Sequence, residues 1–93
     1  MITYRPGEFA ISKAGHDKDK IYVILWADNE YVYLVDGKYR LFDNPKKKNR
    51  RHVQCMHYTD SDISERIEKQ ERVNNEEIAA AIRRVLKKLK TVD

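Results

Sequence analysis

The sequence predicts a mainly β domain with an α-helical C-terminus, on three observations. Five short runs up to Tyr58 are rich in β-branched and aromatic residues and are separated by turn-forming residues. From Ser61 onward glycine and proline are absent, and apolar residues recur there at helical spacing. The chain has 93 residues, 41% of them hydrophobic, which suits one small domain with a modest core.

The first strand, Glu8 to Ser12, follows the Pro6-Gly7 turn. Its inward face stays open, because Phe9 and Ile11 alternate with the small residues Ala10 and Ser12. Lys20 to Trp26 is almost continuously apolar, as in a strand buried on much of both faces. Asp28-Asn29 turns the chain into Tyr31 to Val35. Asp36-Gly37 then stands between that run and Lys38 to Phe42, and Asp-Gly supplies the positive φ angles of a two-residue hairpin. Pro45 to Arg51 reads as a basic loop, and His52 to Met56 as the fifth strand, with Val53 and Cys55 on one face. Five short strands with tight turns predict an SH3-like small barrel over residues 1–58.

Residues 59–93 read as a helical extension of two short helices. Ile63 and Ile67 lie four apart on the first. Asn74 and Glu77 fit a capping box opening the second, with Ile78, Ile82, Val85 or Leu86, and Leu89 along one side. Neither stripe sustains a free-standing bundle, so both should pack on the barrel or pair with each other and a partner.

Charge is distributed unevenly. The formal net charge is +4, and all of the excess lies in residues 1–58. It concentrates in Lys46, Lys47, Lys48, Arg50 and Arg51. A dense basic loop repels itself unless a polyanion neutralises it, so nucleic acid is the first partner to consider. Lysines suit backbone phosphates, while Arg50 and Arg51 can also fork onto phosphates or stack on bases. On the expected hairpin Lys38 and Arg40 share a face and extend the patch, with Tyr39 and Leu41 on the other. Tyr31 and Tyr39, beside turns, are the aromatic candidates for stacking; Tyr22, Trp26 and Tyr33 read as core.

A longer pattern accompanies this charge. Residues 6–18, Pro-Gly-Glu-Phe-Ala-Ile-Ser-Lys-Ala-Gly-His-Asp-Lys, are similar to the opening of the KOW motif. Tyr33-Leu34-Val35-Asp36-Gly37-Lys38, Arg40, then Pro45, the lysine run and His52 continue the order. Over roughly residues 5–57 the chain resembles bacterial KOW-domain RNA-binding proteins related to KOW-containing large-subunit ribosomal proteins. It departs from them at Asp19, where the pattern has Gly, and at His16, where the bacterial members often carry Arg. The resemblance implies association with RNA or the ribosome, a role in translation, and no catalytic activity. It also draws the first loop into the interaction surface, with Lys13 and Lys18 as its contacts and Gly15 supplying a backbone angle closed to other residues.

Other chemistries find little support. His52, Cys55 and His57 have no second Cys or His pair to complete a tetrahedral metal shell, and Cys55 reads as a small buried hydrophobe. A single cysteine excludes an intramolecular disulfide and fits a reducing compartment. There is no glycine-rich phosphate loop, nucleophile elbow or framed carboxylate pair, so neither catalysis nor a cofactor is expected. Glu65, Glu68, Glu71, Glu76 and Glu77 interleave with Arg66, Lys69 and Arg72 as on a solvated helix face. No run approaches bilayer-spanning length and no leader opens the chain, so a cytoplasmic protein is expected. Arg83, Arg84, Lys87, Lys88 and Lys90 complement the dipole at the end of the second helix, and some of them offer a second basic surface. The expectation is a non-catalytic protein that binds ribosomal or other structured RNA. The alternative is an SH3-like protein-interaction module that docks through its C-terminal helices.

Overall fold

The structure, a computed structural model, describes the backbone of residues 3–91 and the side chains of residues 3–89. Its elements are β1 (Glu8–Ser12), β2 (Ile21–Ala27), β3 (Tyr31–Val35), β4 (Lys46–Asn49), a 3-10 turn (Arg50–His52), β5 (Val53–Thr59), α1 (Ser61–Glu68) and α2 (Asn75–Thr91). The strands form one antiparallel sheet in the order β4-β3-β2-β1-β5. The sheet is open, and β4 and β5 are its edges. Mainly β followed by α is what the sequence leads one to expect.

Both faces of β1 and β2 are buried, which resolves the ambiguity at Glu8–Ser12. On one face Phe9, Ile21, Val23 and Val35 pack against Ile63 and Ile67 of α1, Val73, and Ile78, Ala81, Ile82 and Val85 of α2. On the other, Ala10, Tyr22, Ile24, Val32, Leu34 and Val53 form a second cluster, joined by the half-buried Tyr4. The Tyr4 hydroxyl donates to the carbonyls of Arg50 and Val53, tying Tyr4 to the β4–β5 junction.

The helices begin where their caps are. The Asp60 carboxylate accepts from the Ile63 N–H and pairs with Arg84 of α2 at 2.6 Å. Asn74 Oδ1 accepts from the Glu77 N–H at 2.9 Å, so half of the expected capping box forms. The Glu77 side chain turns instead to Arg66 of α1. Leu86 and Leu89 stay outside the core, at 41% and 52% exposed. The stripe of α2 is therefore narrower than the spacing suggests.

The largest correction concerns residues 36–51. The hairpin strand expected at Lys38–Phe42 does not form. One Asp36 carboxylate oxygen accepts the N–H groups of Lys38, Tyr39 and Arg40, so the backbone wraps around that side chain and leaves no donors for a ladder. Gly37, at φ 77°, presses on the start of α2, and a Cβ there would lie 2.1 Å from the Asn75 carbonyl oxygen. Phe42 N–H donates to Asn75 Oδ1 at 2.7 Å, holding the segment to the helix. The strand that pairs with β3 is the lysine run itself, read from sequence as a loop. Its register sets Lys48 opposite Val32, Lys47 opposite Tyr33 and Lys46 opposite Leu34.

Candidate nucleic-acid interface

Alternation along β4 divides the lysine run between two faces. Lys46 and Lys48 share the side of the fully buried Leu34 and Val32, and they reach the carboxylate of Asp17 in the β1–β2 loop. Asp17 is 6% exposed. It accepts from Lys46 and Lys48, each at 3.0 Å, from Ser12 Oγ at 2.8 Å and from the Tyr22 hydroxyl at 2.9 Å. Lys48 also donates to the Ala14 carbonyl at 2.9 Å. Burial alone would raise the Asp17 carboxyl, but hydrogen bonds from Lys48, Ser12, Lys46 and Tyr22 outweigh it and hold the group well below the usual carboxylate range. Burial, followed by the bond to Asp17, pushes the Tyr22 phenol well up. Two of the five residues of the basic run thus anchor a loop.

The loop they anchor keeps its geometry at Gly15, with φ 89°, and at Asp19, with φ 72°. Asp19 adopts a left-handed angle that glycine would take more easily.

Lys47 faces the opposite way. Its ammonium stands 4.1 Å from the centroid of the Tyr31 ring, and the side chain is exposed. Next to it the Trp26 and Tyr33 rings stack at 4.0 Å and 8° between planes. Trp26 is 48% exposed. The expectation that Trp26 belongs to the core is therefore corrected, and Tyr33 is half-buried. A register shift on β2 between Ile24 and Trp26 turns the indole outward, which no apolar count reveals. Tyr22 is buried, as its sequence context suggests.

Lys13, Arg50 and Arg51 come together at the β4–β5 junction. With Tyr4, Val53, Gln54, Cys55 and His57 they line a groove of about 440 Å³, and none of the described lining residues is acidic. Arg50 donates to the Asp28 carbonyl at 2.8 Å and lies 4.7 Å from the Tyr4 ring centroid. Arg51 and Lys13 are exposed. The Lys13 N–H donates to the His52 carbonyl at 2.8 Å, so the end of β1 and the 3-10 turn are joined by main chain. Lys18 is exposed on the β1–β2 loop.

Lys38, Tyr39 and Arg40 do not extend this surface as a strand face. They belong to the irregular segment beside α2. Tyr39 is 70% exposed, with the ammonium groups of Lys20 and Lys38 at 5.3 and 5.2 Å from its ring centroid. Asp19, Lys20, Ile21, Asp36 and Lys38 line a second groove there with Ile82, Arg83 and Leu86 of α2. Its charges are mixed. On α2, Lys88 donates to the Tyr58 hydroxyl, and the Lys90 side chain falls outside the described residues.

No helix among the described residues is long and apolar enough to cross a membrane. Compared with known proteins, the chain matches no family model and no curated protein.

Proposed function

We propose that the protein is a non-catalytic RNA-binding protein of KOW type, acting on ribosomal or other structured RNA in the cytoplasm. The observation that carries this reading is the groove that brings Lys13, Arg50 and Arg51 together. A folded surface that gathers three basic side chains along one groove favours a phosphate chain. Strand order also supports it. An antiparallel β4-β3-β2-β1-β5 sheet, with a 3-10 turn between its last two strands in sequence, is compatible with an SH3-like barrel left open between β4 and β5.

Lys47 and the Trp26–Tyr33 stack supply a second element of the reading. Exposed rings beside a cation accept unpaired bases, at about 1–3 kcal/mol per base. Lys46 and Lys48 contribute to affinity only through the loop they hold. Mobility shifts with structured RNA across a salt series test the function. Affinity is expected to be high in dilute buffer and to fall steeply with salt. Absence of binding in dilute buffer contradicts the reading.

Exposed Leu86 and Leu89 favour a second reading, in which α2 docks on a protein. Partners that persist in a pull-down after ribonuclease treatment would support that one instead.

A further inference from the structure

The Glu8, Cys55 and His57 side chains meet on adjacent strands, 47 or more positions apart in sequence between Glu8 and the other two. A carboxylate oxygen, the thiol sulfur and an imidazole nitrogen all lie within 4.8 Å of one another. Glu8 and Cys55 are buried, at 8% and 5% exposed, while His57 reaches the surface. The register between β1 and β5 explains the meeting. Glu8 pairs with Thr59 but Ala10 pairs with Cys55, so four positions of β5 are spanned by two of β1. Within that bulge His57 holds φ 54°, a left-handed angle uncommon for a residue with a side chain.

We propose that Glu8, Cys55 and His57 form a zinc site with three protein ligands. Thiolate, imidazole and carboxylate together are a zinc set: the thiolate disfavours calcium and magnesium, and three ligands leave a fourth position for water. Tetrahedral bonds of roughly 2.0–2.3 Å set ligand atoms roughly 3.3–3.8 Å apart. The present spacing is within 4.8 Å, and side-chain rotation at the exposed His57 shortens it. The Glu8 carboxylate accepts from the Arg5 N–H through Oε1 at 3.2 Å and is hydrogen-bonded to the Cys55 thiol, whose proton a bound metal displaces. The sequence conceals this site, since the third donor comes from the neighbouring strand β1, 47 positions before Cys55 in the chain, rather than from a nearby Cys or His.

Cobalt(II) titration of the chelator-treated protein, without RNA, tests the assignment independently of the functional reading. The expected result is saturation at one equivalent with a near-ultraviolet thiolate-to-cobalt charge-transfer band, which zinc then displaces. Cys55→Ser should abolish the band. His57→Gly accepts the left-handed backbone freely, so its circular dichroism should match the parent while cobalt affinity falls about tenfold or more. Glu8→Gln should lose affinity likewise. The proposal is overturned if the parent protein gives no charge-transfer band at several equivalents of cobalt. It is equally overturned if His57→Gly or Glu8→Gln binds cobalt as tightly as the parent.

Discussion

Asp17 shows how one buried carboxylate reorganises a cationic surface. With four side-chain donors converging on it, its ionised form is strongly favoured in the folded state and not in the unfolded chain. A group with a depressed folded value contributes stability in full above its unfolded value, roughly pH 4, and that contribution is lost as pH falls from there through the depressed value. Acid unfolding followed by circular dichroism should therefore be steep below about pH 4 in the parent protein and shallower in Asp17→Asn. At neutral pH Asp17→Asn should lose about 2 kcal/mol, the scale of hydrogen bonds to a charged acceptor. Equal pH slopes in the two proteins would mean that Asp17 does not hold the loop. At Asp19 the expectation has the opposite sign. Its φ of 72° costs a residue with a Cβ about 1 kcal/mol, so Asp19→Gly should raise stability by about 0.5–1 kcal/mol in urea unfolding. A lower midpoint would place the side chain's own interactions above the backbone cost.

At the scale of elements, β4 is the informative one. Lysine is a poor strand former, but this strand is an edge, where lysines also discourage pairing with other chains. Its two inward lysines are compensated by a carboxylate some thirty positions earlier in the chain (Asp17 to Lys48). Consequently the three lysines should separate experimentally. Lys48→Gln is expected to destabilise the fold by about 1–3 kcal/mol, since it removes a largely buried partner of an ion pair. Lys47→Gln should leave the unfolding midpoint within about 0.5 kcal/mol of the parent while lowering RNA affinity. Reversal of that order in parallel denaturation and binding measurements would contradict the faces assigned here. The segment before β4 has its own test. Gly37→Ala drives a Cβ against the backbone of α2 and should cost about 2–4 kcal/mol, combining the positive φ with overpacking.

Across the whole molecule, what the sequence conveys depends on how local the physics is. β1, β2, β3 and the two helices are legible because turn residues, β-branched runs and capping side chains act within a few positions of themselves. β4 is not, because the stabilisation of Lys46 and Lys48 depends on Asp17, and a run of like charges read alone resembles a loop. The Asp36-Gly37 turn is legible as a turn but not as a hairpin, since Asp36 captures its own neighbours' N–H groups. Of the basic residues singled out, Lys13, Arg50 and Arg51 converge, Lys47 stands by the aromatic stack, and Lys38 and Arg40 lie elsewhere. Trp26 and Glu8 escape detection for a shared reason: each sits beside a register shift that changes which way neighbouring side chains point.

The cationic groove and Lys47 are the centre of the functional reading, and their charges can be removed without touching the core. Lys13, Lys47 and Arg51 are all exposed, so the triple variant Lys13→Gln, Lys47→Gln, Arg51→Gln should fold as the parent does. The decisive measurement is the slope of log affinity against log salt for both proteins on one structured RNA. Each phosphate contact contributes roughly 0.7–0.9 to that slope, so the variant should bind more weakly and with a slope lower by about 2. An unchanged slope and affinity would contradict the assignment of this surface to RNA.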